Sequence, residues 1–282
     1  MGTAGLALIK RRINSIENTK KITKAMALVA TSKLKKVRKN LNYALVYNEN
    51  IKEIFDKVIG QLPEEYESIY LDNKSNGKKL YIILGSDMGL CGGFNSNIAL
   101  YIKEKVEDKD DISIVTIGLR CQSYLKRYKI PCIKQYSDIK DIPTNKEIDQ
   151  IYEFALDMYK NKEISEIKII YTEFISPLKQ NIREITLLPI KMREYKELDC
   201  LVDPSVEEVF ENYIDIYMKS ELIKAMISSK VSEYSSRRVA MENATESADD
   251  ILKNLNIKFN RIRQGIITQE IAEIVGGTEF KR

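Results

Sequence analysis

The sequence predicts an α/β domain with a mostly parallel sheet, combined with two very long terminal helices that zip together as an antiparallel coiled coil. Three observations carry that reading. Residues 205–264 hold neither glycine nor proline, between Pro204 and Gly265, and sixty helical residues would extend roughly 90 Å, far more than a small globular domain needs. A second run of this kind lies between Gly5 and Gly60. Between the two, short apolar runs alternate with amphipathic ones, as strands and helices do when layered on a parallel sheet.

In chain order, residues 1–60 read as the N-terminal helix. Leu34, Val37, Leu41, Ala44, Asn48, Ile51, Phe55 and Val58 alternate steps of three and four, a heptad seam with one polar member, Asn48, that can fix register. Ile9, Ile13, Ile16, Ile22, Met26 and Val29 extend the stripe upstream less regularly. Residues 61–79 read as a polar linker, and 80–195 as the α/β domain. Strands are expected at 80–84, 112–117, 131–136, 167–174 and 182–190, the last two as an antiparallel hairpin. Helices are expected at 95–107, 119–128 and 146–160. Ser205 followed by Glu208 is a capping-box signal, opening a C-terminal helix over 205–276 before a tail at 277–282. Its expected seam is Met241, Ala244, Ala248, Ile251, Leu255, Phe259, Ile262 and Ile266.

Composition excludes several chemistries. The 282 residues include no histidine and no tryptophan, which removes histidine-based triads, His-ligated metals and imidazole proton shuttles. The four cysteines (Cys91, Cys121, Cys132, Cys200) have no C-x-x-C spacing, so reduced thiols are expected rather than a zinc or dithiol site. No apolar run approaches the ~20 residues of a membrane span. The net charge is +4, but the stretch from Lys10 to Lys39 carries about +10, with eleven basic residues against Glu17. The rest of the chain is therefore acidic on balance.

Two stretches are candidates for function. Gly85-Ser86-Asp87-Met88-Gly89-Leu90-Cys91-Gly92-Gly93 lies between an expected strand and an expected helix, a place where α/β domains often hold phosphate. Its spacing matches neither the dinucleotide fingerprint nor the P-loop. That leaves a nucleotide-binding α/β protein as one alternative and a tight turn or docking loop as another. The basic helix could bind nucleic acid through phosphates, lie as a solvated face, or be drawn to an acidic protein surface. It lacks interleaved aromatic residues between Lys10 and Lys39.

Three segments in order resemble the gamma subunit of the F-type rotary ATP synthase, of bacterial type. They are Ile9-Lys-Arg-Arg-Ile13 through Asn18-Thr-Lys-Lys-Ile-Thr-Lys-Ala-Met26; Ser86 through Asn95; and Ser236-Arg-Arg-Val-Ala-Met-Glu-Asn-Ala-Thr245, continuing to Arg263 through Gly276. The resemblance implies a shaft of terminal helices beside a Rossmann-like domain, with no catalysis and no cofactor of its own. It implies a single copy turning inside an α3β3 hexamer. The foot would rest on the epsilon subunit and the c-ring, at the cytoplasmic face of the cell membrane, without a span and without nucleic acid. Met26, Arg237, Gln264, Thr268 and Glu270 then correspond to coupling contacts with the beta subunit. Lys10, Arg11, Arg12, Lys20, Lys21, Lys24 and Lys33 would form a basic face, and Asp87, Gly89, Cys91, Gly92 and Gly93 a foot loop. Ile262, Ile266, Ile267, Ile271, Ile274 and Val275 would form an apolar bearing tip. Met88 stands where the family often has a basic or polar residue.

Overall fold

The computed structural model describes residues 2–63, 65–71, 77–105, 111–176, 179–191 and 202–279, with side chains from Gly5 to Val275. Residues 64 and 72–76 of the expected linker, 177–178 between the two hairpin strands, the end of the expected α/β domain at 192–195, Cys200 and residues 280–282 fall outside that set. Helix α1 spans Gly2–Ile59 and helix α5 spans Val206–Glu279. Ser205 Oγ accepts from the Glu208 amide at 3.2 Å, so the expected cap does start α5. Gly265 does not end it, because a lone glycine costs a helix only about 1 kcal/mol.

The chain divides into two compact units. The larger covers Thr31–Arg237. Its sheet is built from β1 (Lys78–Leu84), β2 (Ile112–Ile117), β3 (Lys134–Tyr136), β4 (Ile164–Phe174) and β5 (Gln180–Leu188), in the order β3-β2-β1-β4-β5. β1 pairs parallel with β2 and β4, and β2 parallel with β3; β5 runs antiparallel to β4. Helices α2 (Phe94–Lys105) and α3 (Leu119–Arg127) cover one face, burying Ile98, Ile102 and Leu125 with Ile83, Ile114 and Ile170. The other face packs Leu80, Ile82, Leu84 and Ile169 on α4 (Asn145–Lys160), the end of α1 and the start of α5. Burial on both faces is what near-continuous apolar strands such as Leu80–Leu84 require.

Within this unit the second half of α1 meets α5 along the expected heptad. Val37, Leu41 and Ala44 pack with Ile227, Val231 and Tyr234, and Phe55 stacks on Tyr217 at 4.1 Å between ring centroids. Asn48 is buried and fully engaged. Its amide donates to Ser220 Oγ and Glu221 Oε1, both at 3.0 Å, while Lys224 Nζ donates to its carbonyl at 2.9 Å. A buried amide with every partner in place fixes one register, since a shift by a turn strands each of these groups. The segment expected as a polar linker contributes to the core: Leu62, Tyr70 and Leu71 are buried, and Leu71 bridges to Ile190.

The smaller unit comprises Met1–Ala30 and Arg238–Arg282, and two helical segments pair antiparallel within it. Thr23 and Thr245 share a hydroxyl hydrogen bond at 2.7 Å, and Lys20 pairs with Asp249. The seam differs from the expected one on both sides. Ile22 and Val29 are exposed, whereas Thr23 and Ala30 are buried and Lys20 and Ala27 half-buried. Positions 9, 13, 16, 20, 23, 27 and 30 thus keep the strict heptad of the rest of α1, as isoleucine at the first three and as small or polar residues from Lys20 to Ala30. On α5, Leu252 is buried and Ile251 exposed, so the stripe steps through Met241, Thr245, Ala248, Leu252 and Leu255.

Candidate functional site: the glycine loop, its arginine clamp and the outer face of the helix pair

The loop from Gly85 to Gly93 follows β1 and is closed by its own side chains. Ser86 is fully buried; its amide donates to Asn95 Oδ1 at 3.1 Å and its hydroxyl to the Met88 carbonyl at 2.8 Å. Asn95 Nδ2 returns a bond to Ser86 Oγ at 2.7 Å. Asp87 Oδ1 accepts from the Leu119 amide at 3.1 Å, at the start of α3, where a carboxylate is favoured. Gly85 and Gly118 are required here. A Cβ on Gly85 would lie 2.2 Å from Cys121 Cβ, and Gly118, at φ +106°, has the Ser86 backbone 2.7 Å from where a Cβ would sit. Gly92 adopts φ 57°, the left-handed conformation glycine takes without cost.

Arg237, expected among the coupling contacts, reaches this loop instead of solvent. Its guanidinium donates to Met88 O at 3.1 Å and Gly89 O at 3.4 Å, and pairs with Glu233 at 2.8 Å, both side chains at most 8% exposed. Lys230 holds the same carboxylate at 3.0 Å. A buried guanidinium needs such partners, so in this unit Arg237 fixes loop geometry. The clamp presents Met88 and Leu90 at the tip, both largely exposed. Cys91 is buried beneath it, and burial pushes its thiol pKa up, the opposite of an activated nucleophile. With its carbonyls taken by arginine and its first amide by Asn95, the stretch from Ser86 to Gly89 is built as a braced turn.

A second contact, half-buried, was not legible as a motif. Tyr234 donates to Asp141 Oδ1, and Lys33 Nζ approaches Asp141 Oδ2 and Tyr234 Oη, each at 3.1 Å. Burial alone would raise the Asp141 pKa, but the bonds from Tyr234 and Lys33 outweigh it and hold the carboxyl below its ordinary value. Lys33, expected on the basic face, is thus engaged within the larger unit. The other cations do not form one face. Lys10, Arg11 and Arg12 are consecutive, so they project about 100° apart, and all three are exposed with Lys21 and Lys24; Lys20 is held by Asp249.

In the smaller unit Met26 is half-buried, while Gln264, Thr268 and Glu270 are exposed. Thr268 Oγ1 donates back to the Gln264 carbonyl at 2.9 Å. With Thr23 opposite Thr245, the antiparallel register brings the start of α1 opposite residue ~266. Ile262 and Ile266 are accordingly half-buried, and Ile267, Ile271, Ile274 and Val275 exposed. Leu8, Ile22, Leu28, Val29 and Ile257 add large apolar side chains to the outside of the pair. No helix among the described residues is long and apolar enough to cross a membrane.

Two paired helices with an apolar and basic exterior in one unit, and in the other a sheet whose glycine loop is braced rather than open, define a protein that works through contacts with other chains. The comparisons agree. A family model described as ATP synthase matches residues 5–279. The chain is 46% identical to the ATP synthase gamma chain of Clostridium botulinum (strain Eklund 17B / Type B), over all of both chains. It is 44% identical to that of Clostridium beijerinckii over 98% of each. Its fold resembles a chain of the Euglena gracilis mitochondrial ATP synthase seen in an OSCP/F1/c-ring structure in rotational state 3. There the TM-score is 0.72 at 17% identity, covering 99% of this chain and 95% of that one. A rotor structure of the same enzyme in rotational state 1 gives a TM-score of 0.68 at 16% identity, over 94% and 100%. The chain belongs to the ATP synthase gamma-chain family, a non-catalytic subunit in the F1 sector of a membrane-attached enzyme.

Proposed function

We propose that the helix pair of the smaller unit is the part that turns inside an α3β3 hexamer, with epsilon and the c-ring held at the other end of the assembly, at the cytoplasmic face of the bacterial membrane. The observation that carries this reading is the exterior of that pair. It presents Leu28, Val29 and Ile257 together with Lys21 and Lys24, while its own seam is filled by Thr23, Ala30 and Ala248. Such a surface suits passage by acidic loops and a greasy collar. Coulomb attraction between screened charges needs no fixed geometry, and apolar contact is non-directional, so both tolerate sliding.

A single shaft performs coupling only if it binds the three beta conformers with different free energies, because a ligand shifts an equilibrium by no more than its differential affinity. Met26, Gln264, Thr268 and Glu270 are the residues assigned to that discrimination, with Ile262, Ile266, Ile267, Ile271, Ile274 and Val275 as the bearing. Arg237 takes a positioning role: it holds the Met88–Gly89 turn, and the turn with Asp87 makes the docking contact. The 1–60 and 205–276 helices act as the shaft and 80–195 as the foot. The test is Met26→Lys in the reconstituted complex. An added charge at a half-buried site facing acidic loops is expected to lower ions pumped per ATP hydrolysed while the purified chain melts within a few degrees of the parent. Unchanged pumping per ATP would remove Met26 from the coupling set.

A further inference from the structure

We propose that residues 228–237 of α5 are the joint through which torque passes between the α/β domain and the shaft. Ser229, Tyr234 and Ser236 are its positioning residues, and the assignment rests on the rotary reading above. Nine of these ten residues carry a polar side-chain group, Val231 being the exception. Yet eight of them are buried, and Lys230 and Ser236 half-buried. Successive helical residues project about 100° apart, so ten in a row without an exposed member mean that the helix is enclosed all the way round. A helix enclosed for stability alone is apolar on every side.

The enclosure is made of directional bonds. Ser228 Oγ accepts from the Phe174 amide at 3.3 Å, Ser229 Oγ donates to the Leu84 carbonyl at 3.2 Å, and Ser236 Oγ donates to Gln180 Oε1 at 2.7 Å. Tyr234 donates to Asp141, and Arg237 to the carbonyls of Met88 and Gly89. With Ser228 at zero, Ser236 stands at about 80° round the axis, Ser229 at about 100°, Arg237 at about 180° and Tyr234 at about 240°. Ile227 and Val231 fill the remaining sector against Val37, Leu41 and Ala44 of α1. The gripping groups come from the ends of β1 and β4, the start of β5 and the loops after β1 and β3. That is the edge at which open α/β sheets hold ligands, and here α5 takes the ligand's place.

Such a grip opposes one motion above all. Apolar contact is non-directional, so the heptad seam with α1 resists separation better than it resists turning. A turn of α5 against the sheet by ~20° would carry groups ~6 Å from the axis through about 2 Å. Bonds of this kind do not survive such a displacement, and they would break on several sides at once.

The test is the triple variant Ser229→Ala, Tyr234→Phe and Ser236→Ala, which deletes three hydroxyls without adding bulk, in the complete ATP synthase reassembled in vesicles. ATP hydrolysis and ion pumping are recorded together as the gradient builds. Pumping per ATP should match the parent while the gradient is small. At full gradient the variant should slip, its uncoupled hydrolysis rising at least about tenfold, the factor expected for two or three net hydrogen bonds. Tyr234→Phe alone, which leaves Asp141 paired with Lys33, gives the same reading in smaller measure should the triple variant fail to assemble. Ser236→Thr, which keeps the hydroxyl at a half-buried position, should couple as the parent does. Ile102→Val, a core truncation between α2 and the sheet, should lower the melting temperature of the purified chain without slip. Pumping per ATP held level to full gradient in the hydroxyl-deleted variants, or equal slip in Ile102→Val, overturns the joint and leaves the rotary reading in place. A parent that pumps no ions in the same vesicles overturns both.

Discussion

Replacing Arg237 with alanine removes one ion pair to Glu233 at 2.8 Å and two bonds to the carbonyls of Met88 and Gly89. Breaking a buried pair from one side costs about 3–5 kcal/mol when the remaining charge is stranded. Here Lys230 still neutralises Glu233, and Met88 O keeps its bond from Ser86, so the expected loss is near the bottom of that range, about 3 kcal/mol. Urea unfolding of the purified chain should show a lower midpoint with an unchanged slope. The loop should also open locally, because its outer carbonyls have lost their anchor. Peptide-resolved thiol labelling should then find Cys91 modified at least about tenfold faster, the factor that 1.4 kcal/mol of easier opening provides. Arg237→Lys keeps the charge without the planar fork and should fall between. A loss under about 1 kcal/mol, with Cys91 labelling unchanged, would show that the arginine merely lies across the loop.

Asn48→Ala should cost about 1–2 kcal/mol in the same unfolding experiment, since it removes three bonds of a buried network while Lys224 and Glu221 keep their own pair; a neutral result would deny the network any part in stability. The folded-state pKa of Asp141 is lowered, so its contribution is complete above the ordinary carboxylate value near 3.9 and is lost as pH falls through the lower folded value. Thermal melts of the parent should therefore lose an increment below about pH 4 that Asp141→Asn lacks, and parallel acid profiles would contradict the Tyr234–Lys33 contact. Gly118→Ala should cost about 2 kcal/mol or more, because the side chain enters a positive-φ site against the Ser86 backbone. Cys121, fully buried with its thiol pKa pushed up to about 12 by burial, should resist labelling at neutral pH until the whole unit unfolds; modification before global unfolding would refute its placement.

What the sequence made legible was set by how the burial is achieved. The heptad from Leu34 to Val58 is written in apolar residues, so period alone located the seam and marked Asn48 as its polar member. Upstream the same period continues in Lys20, Thr23, Ala27 and Ala30, which carry little hydrophobic signal. The larger Ile22 and Val29 drew the stripe off line, although they face outward. The shift from Leu252 to Ile251 on α5 has the same cause, two adjacent residues of equal hydropathy and a neighbouring Thr245 whose hydroxyl disguises a seam position. The strands read correctly because both faces of the sheet are covered. The linker reading missed Leu62, Tyr70 and Leu71, single apolar residues among charges whose burial depends on partners far along the chain. Arg237 could not be placed from its neighbours, for its partners lie ~150 residues away, and only Glu233, one turn before it, offered a local sign.

The seam of the smaller unit has a further consequence for the life of the chain before assembly. Between Lys20 and Ala30 the side chains are as slight as alanine and threonine and withdraw little apolar area from water, while Ile22, Leu28 and Val29 look outward; the larger buried residues, Ile9, Met241 and Leu252, lie to either side. Over that stretch the zipper keeps more oil outside than in. Exposed apolar side chains of this kind are stabilised by contact with another surface, so the isolated chain should show its easiest local opening here.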